Sequence, residues 1–231
     1  MVGAFIFTTG QETEKQAIDS IVDQVDNIVI LRDIEPVNKA ENVGFRLAEE
    51  NNYDYFMFLS ADTILKSNAI KIMMGYMTDN LWGVMGKLED YWRGTENYAN
   101  HLYNLKAVSG YRVDENDPMY DHKIHYDMDQ KGFDKVITKE VIGKHHPIWT
   151  PKEAFCKHYF SGMRYNEEYK KRFFAQVVSK NTKEKNNITE AAKLGFLEGM
   201  KVKEKTLLTK EIPKAWFKHK YKFNIKEKLV W

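Results

Sequence analysis

A carboxylate that directly follows a buried strand is the most informative chemical feature of the sequence. The apolar run Tyr55–Leu59 is short enough to be a strand buried on both faces, and Ser60, Ala61 and Asp62 follow it. Open α/β sheets bind ligands at the carboxyl ends of their parallel strands, so Asp62 is predicted to lie at a ligand site. A single carboxylate there is suited to hold a divalent cation while substrate phosphates supply further ligands.

The elements around this strand alternate between strand and helix patterns. Apolar runs predict three further strands, and the helical spacing of apolar residues predicts three helices between the strands. The strands are Val2–Thr8, Ile28–Leu31 and Leu81–Gly86; the helices are Glu12–Val25, Val37–Asn51 and Lys66–Met77. Such alternation predicts an α/β fold with a mostly parallel sheet flanked by helices.

The periodicity weakens after the strand at Leu81–Gly86. Between Lys87 and Pro118, glycine, asparagine, tyrosine and charged residues crowd together, and we expect this stretch to form the second wall of a cleft. A short helix is then predicted for Ile124–Lys131, ended by Gly132, and a strand is predicted for Val136–Ile142.

The last third of the chain has a different character. Thr150, Pro151 and Glu153 form a capping box, which predicts a C-terminal helical extension from residue 151, and a further helix is predicted from Thr189 after a linker at 181–187. Residues 1–150 carry 15 Lys and Arg against 24 Asp and Glu, a net charge of −9, whereas residues 151–231 carry 20 against 9, a net charge of +11. The basic part could face phosphate-bearing partners or an anionic membrane surface, or it could be a lysine-rich solvated surface.

Composition indicates a folded, soluble protein. The 231 residues, 13 % of them aromatic, are enough for a sizeable core and unlike a disordered segment. No apolar run approaches the length of a membrane span, and the N-terminus lacks the basic start of a signal peptide. The single cysteine, Cys156, excludes an intrachain disulfide and favours a reducing compartment. We therefore expect a cytoplasmic protein, and peripheral contact with a membrane through the basic part is one of the alternatives given above.

Four short motifs occur in order within the first 150 residues. They are Val2–Thr9, Asn42-Val43-Gly44 followed by Ala48, Phe58–Asp62, and Asp121 placed eleven residues before Gly132-Phe133. In this order and spacing they resemble the family 2 glycosyltransferases, which have the Rossmann-like GT-A fold. The family has an Asn-x-Gly-x-x-x-Ala helix, a motif ending in Asp-x-Asp, and a Glu-Asp pair before a helix. Ser60 replaces the first acid of Asp-x-Asp, and Tyr120 replaces the glutamate of the pair.

The resemblance implies a GT-A catalytic domain over residues 1–150, with a nucleotide-binding half at 1–86 and an acceptor half at 87–150. Residues 151–231, which the resemblance does not cover, are then a basic helical extension. The implied activity is metal-dependent transfer of a sugar from a nucleotide-diphosphate sugar to an acceptor hydroxyl, by single displacement with inversion. The acceptor stays open between a saccharide, a lipid-linked sugar, a protein and a modified nucleic acid. Aromatic residues such as Trp216 and Phe217 could pack on the catalytic domain or on a second subunit, which makes a homo-oligomer one of the expected assemblies.

The resemblance assigns Asp62 as the direct metal ligand, since the last acid of Asp-x-Asp is kept. GT-A enzymes often recruit a late histidine to the ion, which nominates His145 or His146; both could instead be turn residues before Pro147. Imidazole beside carboxylate and phosphate oxygens suits Mn²⁺ somewhat better than Mg²⁺. His122 and His125, which could share a helix face, are a second metal hypothesis.

The resemblance also nominates residues for the nucleotide-sugar donor. They are Thr8 and Thr9 after the first strand, Asp33 after the second strand, Lys39 and Asn42 in the following helix, and Ser60 and Ala61 beside Asp62. An acid in the place of Asp33 commonly accepts a hydrogen bond from the base, and Ser60 can still hydrogen-bond a ribose hydroxyl. Lys39 could meet the diphosphate or be an ordinary surface lysine, and Asn42 could serve helix packing instead.

Asp121 is the candidate catalytic base. An inverting transfer needs a carboxylate that takes the proton of the attacking hydroxyl, and the resemblance gives Asp121 this role. Asp121 could also cap the helix that follows it, and both roles are compatible.

Two other functions remain open at this point. A sugar-phosphate nucleotidyltransferase also uses a Rossmann-like half and a metal, but such enzymes usually carry a glycine-rich basic loop after the first strand, where this chain has the acidic Thr9–Glu12. A non-catalytic carbohydrate- or nucleotide-binding module would explain the two replaced acids, although Asp62 and Asp121 both survive.

Overall fold

A computed structural model describes residues 1–90, 94–117, 120–145, 150–164, 167–184, 186–202 and Pro213; at some of these positions, including 94–99 and 120–122, it describes the backbone alone. The chain divides into two compact units, Met1–Ile148 and Trp149–Trp231.

The first unit contains a sheet and its covering helices. Its strands are β1 (Val2–Thr8), β2 (Asn27–Arg32), β3 (Tyr55–Ser60), β4 (Thr63–Leu65), β5 (Leu81–Asp90), β6 (Gly94–Asn104) and β7 (Asp134–His145). Its helices are α1 (Glu14–Ile21), α2 (Val37–Glu50), α3 (Ala69–Tyr76), α4 (Leu105–Val108) and α5 (Tyr120–Gln130). The α/β class and the alternation of the first elements are confirmed.

The sheet is mixed, so the expectation of a mostly parallel sheet is met only in part. Among the described residues the strand order is β2-β1-β3-β6-β5-β7-β4. Strands β2, β1, β3, β5 and β7 run in one direction, but β6 lies antiparallel between β3 and β5, and β4 lies antiparallel beside β7. The strand predicted to end at Gly86 continues to Asp90, and β6, which was not predicted in the weakly periodic stretch after it, returns as its antiparallel partner. The polar sequence of β6 hid this hairpin.

The two faces of the sheet carry different side chains, as the two-residue period of a strand requires. One face presents smaller side chains against α1 and α3, namely Ala4, Ile6, Met57 and Leu59. The other presents aromatic rings against α2, α4 and α5, namely Phe5, Phe56, Phe58, Trp82 and Tyr103. Both faces are covered, so the parallel strands lie between two helical layers and only their ends are open to a ligand.

The second unit is helical where it is described. It contains α6 (Pro151–Arg164), α7 (Glu167–Lys183) and α8 (Asn187–Met200). The predicted capping box is present, since the Thr150 amide donates to Glu153 Oε2 over 2.7 Å and the Glu153 amide donates to Thr150 Oγ1 over 3.3 Å. Helix α8 begins earlier than the predicted Thr189, because Asn186 caps it and accepts from the Thr189 amide over 3.0 Å. No helix in the described ranges combines the length and the apolar character of a membrane span.

Candidate active site

The carboxyl ends of five strands meet at one edge of the sheet, and most of the predicted site residues lie there. Thr8 ends β1 beside Arg32 of β2, and Ser60 ends β3 beside Phe7 of β1. Parallel neighbours end on the same side, so the turns that carry Thr9, Asp33 and Asp62 are brought to a common edge. This is the edge at which open α/β sheets bind ligands.

Three acidic and imidazole side chains meet where β4, β5 and β7 come together at this edge. His145, the last residue of β7, is in register with Asp90 of β5 on one side and with Thr63 of β4 on the other. Asp62 directly precedes β4, so its carboxylate lies beside the same histidine. His145 Nε2 is 3.3 Å from Asp62 Oδ2, and His145 Nδ1 is 2.6 Å from Asp90 Oδ2. We call Asp62, Asp90 and His145 the edge cluster.

The edge cluster is largely removed from solvent. The side chains of Asp62 and His145 are each 16 % exposed and that of Asp90 is 4 % exposed. Burial by itself lowers the pKa of His145, but the hydrogen bonds and negative charges of Asp62 and Asp90 outweigh it and raise the pKa to about 9. Without a cation, the ring therefore balances one of the two buried carboxylates as an imidazolium.

The chain's own groups fit a cation that is shared with a ligand. Within the described residues, no three His, Cys, Asp or Glu side chains are arranged around a common metal position. Asp62 Oδ2 and His145 Nε2, however, face each other at 3.3 Å, a separation that two ligands of one ion can adopt. Asp90 lies on the other ring nitrogen and is not a third ligand. A cation here would take its remaining ligands from water and from substrate phosphate oxygens.

Asp90 is the functional candidate that the sequence reasoning missed. It lies in the stretch where the periodicity of the sequence weakens, and it is 55 residues from His145 along the chain. The available signal was Leu88 followed by two acids at the end of an apolar strand, the same pattern that drew attention to Asp62.

The loop after β1 holds Thr8 and exposes Thr9. The Thr8 hydroxyl is 2.9 Å from Gln11 Oε1, also contacts the Glu14 carboxylate, and accepts from the Gly10 amide over 3.0 Å. Thr8 is 3 % exposed and its hydroxyl is thus engaged within the loop, whereas Thr9 is exposed. Asp33 lies next to them, exposed and with a φ of 55°, and its amide donates to the Thr8 carbonyl over 3.0 Å.

The turn that presents Asp62 is anchored on both sides. The Ala61 amide donates to the Phe7 carbonyl over 3.0 Å, and the Ala61 carbonyl accepts from the Thr13 hydroxyl over 2.7 Å. Ala61 is fully buried and Ser60 is half-buried. Thr13 was not among the predicted residues; it stands at the N-cap position of α1 but uses its hydroxyl on this turn instead of on its own helix.

Helix α2 uses its amide side chains to hold the chain before α5. Asn42 accepts from the Val113 amide over 2.8 Å and donates to the Val113 carbonyl over 3.0 Å. Asn38 donates to the carbonyls of Asp114 and Asp117, each over 2.9 Å. The Asn42 side chain therefore joins α2 to the chain before α5, which is the packing role given above as the alternative to donor binding. Lys39, in the first turn of α2, is exposed.

Three predicted residues lie wholly or partly outside the described part of the structure. Asp121 is in the first turn of α5, but its side chain and that of His122 are not described, and His146 lies outside the described residues. His125 belongs to a ring cluster, with its centroid 5.2 Å from that of Trp82 and 5.6 Å from that of His101.

No known protein-family model matches the chain, and no curated protein matches it. Solved structures are similar at low identity. Residues 1–349 of S. aureus TarS share 10 % identity at a TM-score of 0.48, covering 99 % of this chain and 75 % of that chain. A glycosyltransferase involved in glycosylation of the major capsid of PBCV-1 shares 8 % at 0.43, covering 64 % and 94 %. A 4-diphosphocytidyl-2C-methyl-D-erythritol synthase shares 11 % at 0.43, covering 67 % and 95 %.

Glycosyltransferases are thus among the solved structures that resemble the chain. The chain spans 44 % of the length of a longer TarS chain that it also resembles. At identities near 10 % and TM-scores below 0.5, these similarities do not assign an activity to the chain.

Proposed function

We propose that the chain is a metal-dependent glycosyltransferase that moves a sugar from a nucleotide-diphosphate sugar to an acceptor hydroxyl with inversion. The observation that carries this proposal is the pairing of Asp62 Oδ2 with His145 Nε2 at 3.3 Å, at the sheet edge where the donor-side turns also end. A carboxylate and an imidazole that face each other at a ligand-binding edge suit a cation shared with phosphate oxygens.

Asp62 and His145 would hold the cation, with Mn²⁺ favoured over Mg²⁺ because one ligand is a nitrogen. When bound, such an ion supplies positive charge to the departing diphosphate. Ser60 adds no charge, so within the described residues we propose Asp62 and His145 as the two protein ligands.

The donor-side residues bind the rest of the nucleotide sugar. Asp33 is exposed beside Thr9, where it can accept a hydrogen bond from the base. Ser60 is half-buried at the end of β3 and can bond a ribose hydroxyl, and exposed Lys39 can meet the diphosphate. Thr8, whose hydroxyl is engaged within its loop, shapes the loop.

Asp121 is the proposed catalytic base. Its carboxylate takes the proton of the acceptor hydroxyl as the acceptor oxygen forms a bond to the anomeric carbon, and the bond from that carbon to the diphosphate oxygen breaks. One displacement inverts the configuration and releases a nucleoside diphosphate. The hydrogen bonds from Asn38 and Asn42 to the chain before α5 support this role, because they help to fix where the first turn of the helix begins.

A nucleotidyltransferase is disfavoured by the loop after β1. Residues 9–13 contain no lysine or arginine, and the Gln11 and Glu14 side chains fold back onto Thr8. Arg32 of β2 is paired with Glu14, so the loop itself offers an incoming nucleoside triphosphate no cationic side chain of its own.

The test is to incubate the protein with a panel of nucleotide sugars, with Mn²⁺, with Mg²⁺ and without added metal. A glycosyltransferase should release a nucleoside diphosphate from one donor, by slow hydrolysis even without acceptor. A nucleotidyltransferase would release pyrophosphate from a nucleoside triphosphate and a sugar phosphate. Metal-dependent binding with no release under any condition would indicate a binding module.

Asp62→Ala is the decisive variant in this assay. It should remove metal-dependent nucleotide binding while leaving the fold intact, as judged by the melting temperature. Asp79→Ala is the matched control, because it removes an exposed carboxylate from the turn before β5. Equal nucleotide affinity with and without Mn²⁺ in the wild-type protein would contradict the assignment.

A further inference from the structure

His145 contacts a carboxylate through each of its ring nitrogens, and the two contacts differ. The contact of Nδ1 with Asp90 is 2.6 Å, slightly shorter than a usual charge-assisted N–H···O hydrogen bond, whereas the contact of Nε2 with Asp62 is 3.3 Å. Asp90 is also the more buried carboxylate, at 4 % exposure against 16 % for Asp62. Because the contact with Asp90 is shorter and less exposed to solvent, we expect Nδ1 to keep its proton more firmly than Nε2.

Strand pairing fixes this arrangement. Asp90 and His145 are register partners at the ends of the parallel strands β5 and β7. The pairing of the two strands therefore holds the backbones of these two residues next to each other. When Nδ1 keeps its proton for Asp90, Nε2 is the nitrogen that can give a lone pair to a cation beside Asp62.

We propose that Asp90 is a positioning residue that fixes the ring orientation and tautomer of His145 so that Nε2 serves as a cation ligand. The inference rests on the proposed function, in which Asp62 and His145 hold the ion. Metal-binding histidines generally donate their second N–H to a carboxylate or carbonyl, which orients the ring and raises its basicity. Asp90 lies outside the four motifs on which the family resemblance rests, and only the strand register places it here.

Asp90→Asn is the informative variant because it keeps the size of the side chain. An asparagine can turn its N–H₂ toward Nδ1, which moves the ring proton to Nε2 and leaves the wrong tautomer for a metal ligand. Asp90→Glu restores a carboxylate and should recover part of the function. Glu89→Gln is the matched control, since Glu89 is the exposed neighbour on β5, 3.8 Å from Lys144.

The first measurement uses metal-free protein with ¹⁵N-labelled histidine. A proton bonded to Nδ1 and shared with a buried carboxylate gives a resonance far downfield of the amide protons. It should be present in the wild type, in Glu89→Gln and in Asp62→Ala, and it should be lost in Asp90→Asn. Its persistence in Asp90→Asn would overturn the proposal.

The second measurement is binding of Mn²⁺ together with UDP and, separately, with GDP; the tighter complex is then used. Asp90→Asn should weaken metal-dependent binding by about 10- to 100-fold, the usual cost of losing a partner of a ligating histidine. Asp90→Glu should regain part of this loss, Glu89→Gln should match the wild type, and the melting temperatures should stay close together.

A wild-type readout covers the case in which Asp90→Asn does not fold. Pulsed EPR of bound Mn²⁺ should show coupling to one directly bound ¹⁵N of histidine, and the absence of that coupling overturns the proposal. Unchanged affinity in Asp90→Asn, with loss in Asp62→Ala, overturns the role of Asp90 and leaves the proposed function standing. A wild-type protein that binds neither nucleotide more tightly with Mn²⁺ contradicts the metal site itself, and the downfield resonance then reports a structural ion pair only.

Discussion

The two ends of the proposed active site are held by different kinds of interaction. Asp62, Asp90 and His145 meet because β4, β5 and β7 pair in a fixed register. Asp121 instead stands in the first turn of α5, after a segment that the side chains of α2 hold in place. Asn38 and Asn42 bind its backbone carbonyls, and Glu49 binds Arg112.

This difference predicts which end is easier to disturb. A slip of strand register would turn every side chain of the strand to the other face, so the edge cluster is secured by the whole sheet. The segment before α5 is held by side-chain hydrogen bonds, each worth about 1 kcal/mol net, and by the packing of Tyr111 and Val113 in the core. Substitutions in α2 should therefore lower the rate of sugar transfer more than they lower the affinity for the metal ion.

Asp121→Asn should give the largest separation of the two ends. The variant keeps the size of the side chain but cannot take the proton of the acceptor, a function typically worth about 10²- to 10⁴-fold in rate. We expect transfer to fall by that order while Mn²⁺-dependent nucleotide binding and the melting temperature stay near wild type. Near-normal turnover would mean that Asp121 only supports the helix start, and the base would have to be sought elsewhere.

Gly44→Ala should disturb the contact between α2 and the sheet. A Cβ at Gly44 would collide with the ring of Phe58, whose strand leads to Asp62, so α2 must shift or the core must repack. Such overpacking typically costs about 1–3 kcal/mol of unfolding free energy. Denaturant unfolding measures it, and transfer should fall more than metal binding.

Gly75→Ala is the control for Gly44→Ala. Gly75 is also helical, in α3, but an added Cβ there meets nothing within 4 Å. Alanine has the higher helix propensity, so this variant should be neutral or more stable by up to about 1 kcal/mol. If both alanine variants lose stability equally, the contact with Phe58 is not what requires glycine at position 44.

Asn42→Ala should disturb only the segment that precedes α5 and positions Asp121, the proposed base. It leaves the Val113 amide and carbonyl without their side-chain partner, at a cost of about 1–3 kcal/mol when such groups are buried. Transfer should fall while Mn²⁺-dependent nucleotide binding is kept. Asn51→Ala, at the exposed end of the same helix, is the control. A parallel loss of transfer and metal binding in Asn42→Ala would contradict the separation of the two ends.

Local patterns were enough to predict the first half of the sheet. The predicted strand Val2–Thr8 has the observed bounds, and α2 ends one residue before the predicted Asn51, because apolar periodicity and turn residues agree there. The turns after β1, β2 and β3 lie at one edge for the same reason, since strand–helix alternation requires parallel neighbours. The capping box at Thr150 was readable because its two partners are three residues apart.

Contacts between distant residues could not be read in this way. The hairpin of β5 and β6 was missed because the residues from Gly94 to Asn100 lack apolar alternation. Asp90, the partner of His145, was missed as well, because predicting it requires the register of β5 and β7, which are separated along the chain by β6, α4 and α5. The use of Asn42 was left open because its partner, Val113, is 71 residues away.

Glu49→Gln should give the smallest effect and one that depends on pH. Hydrogen bonding to Arg112 is the main reason that the pKa of Glu49 is lowered, and the Gly110 amide adds to it. A glutamine can still accept a hydrogen bond from the Gly110 amide, which lies 2.8 Å from Glu49 Oε1 in the wild type. It removes the negative charge that pairs with Arg112 at 2.6 Å. For a partly exposed pair, the loss in unfolding free energy should be about 1 kcal/mol or less. Since the folded-state pKa is the lower one, the pair stabilises the protein above the unfolded-state pKa of about 4.3 and loses this contribution as the pH falls through the folded-state pKa.

Urea unfolding at pH 7 should therefore separate the variant from the wild type, and the difference in unfolding free energy should disappear in acid. A gap that stays constant with pH would show that Glu49 acts on the segment before α5 through packing and not through its charge.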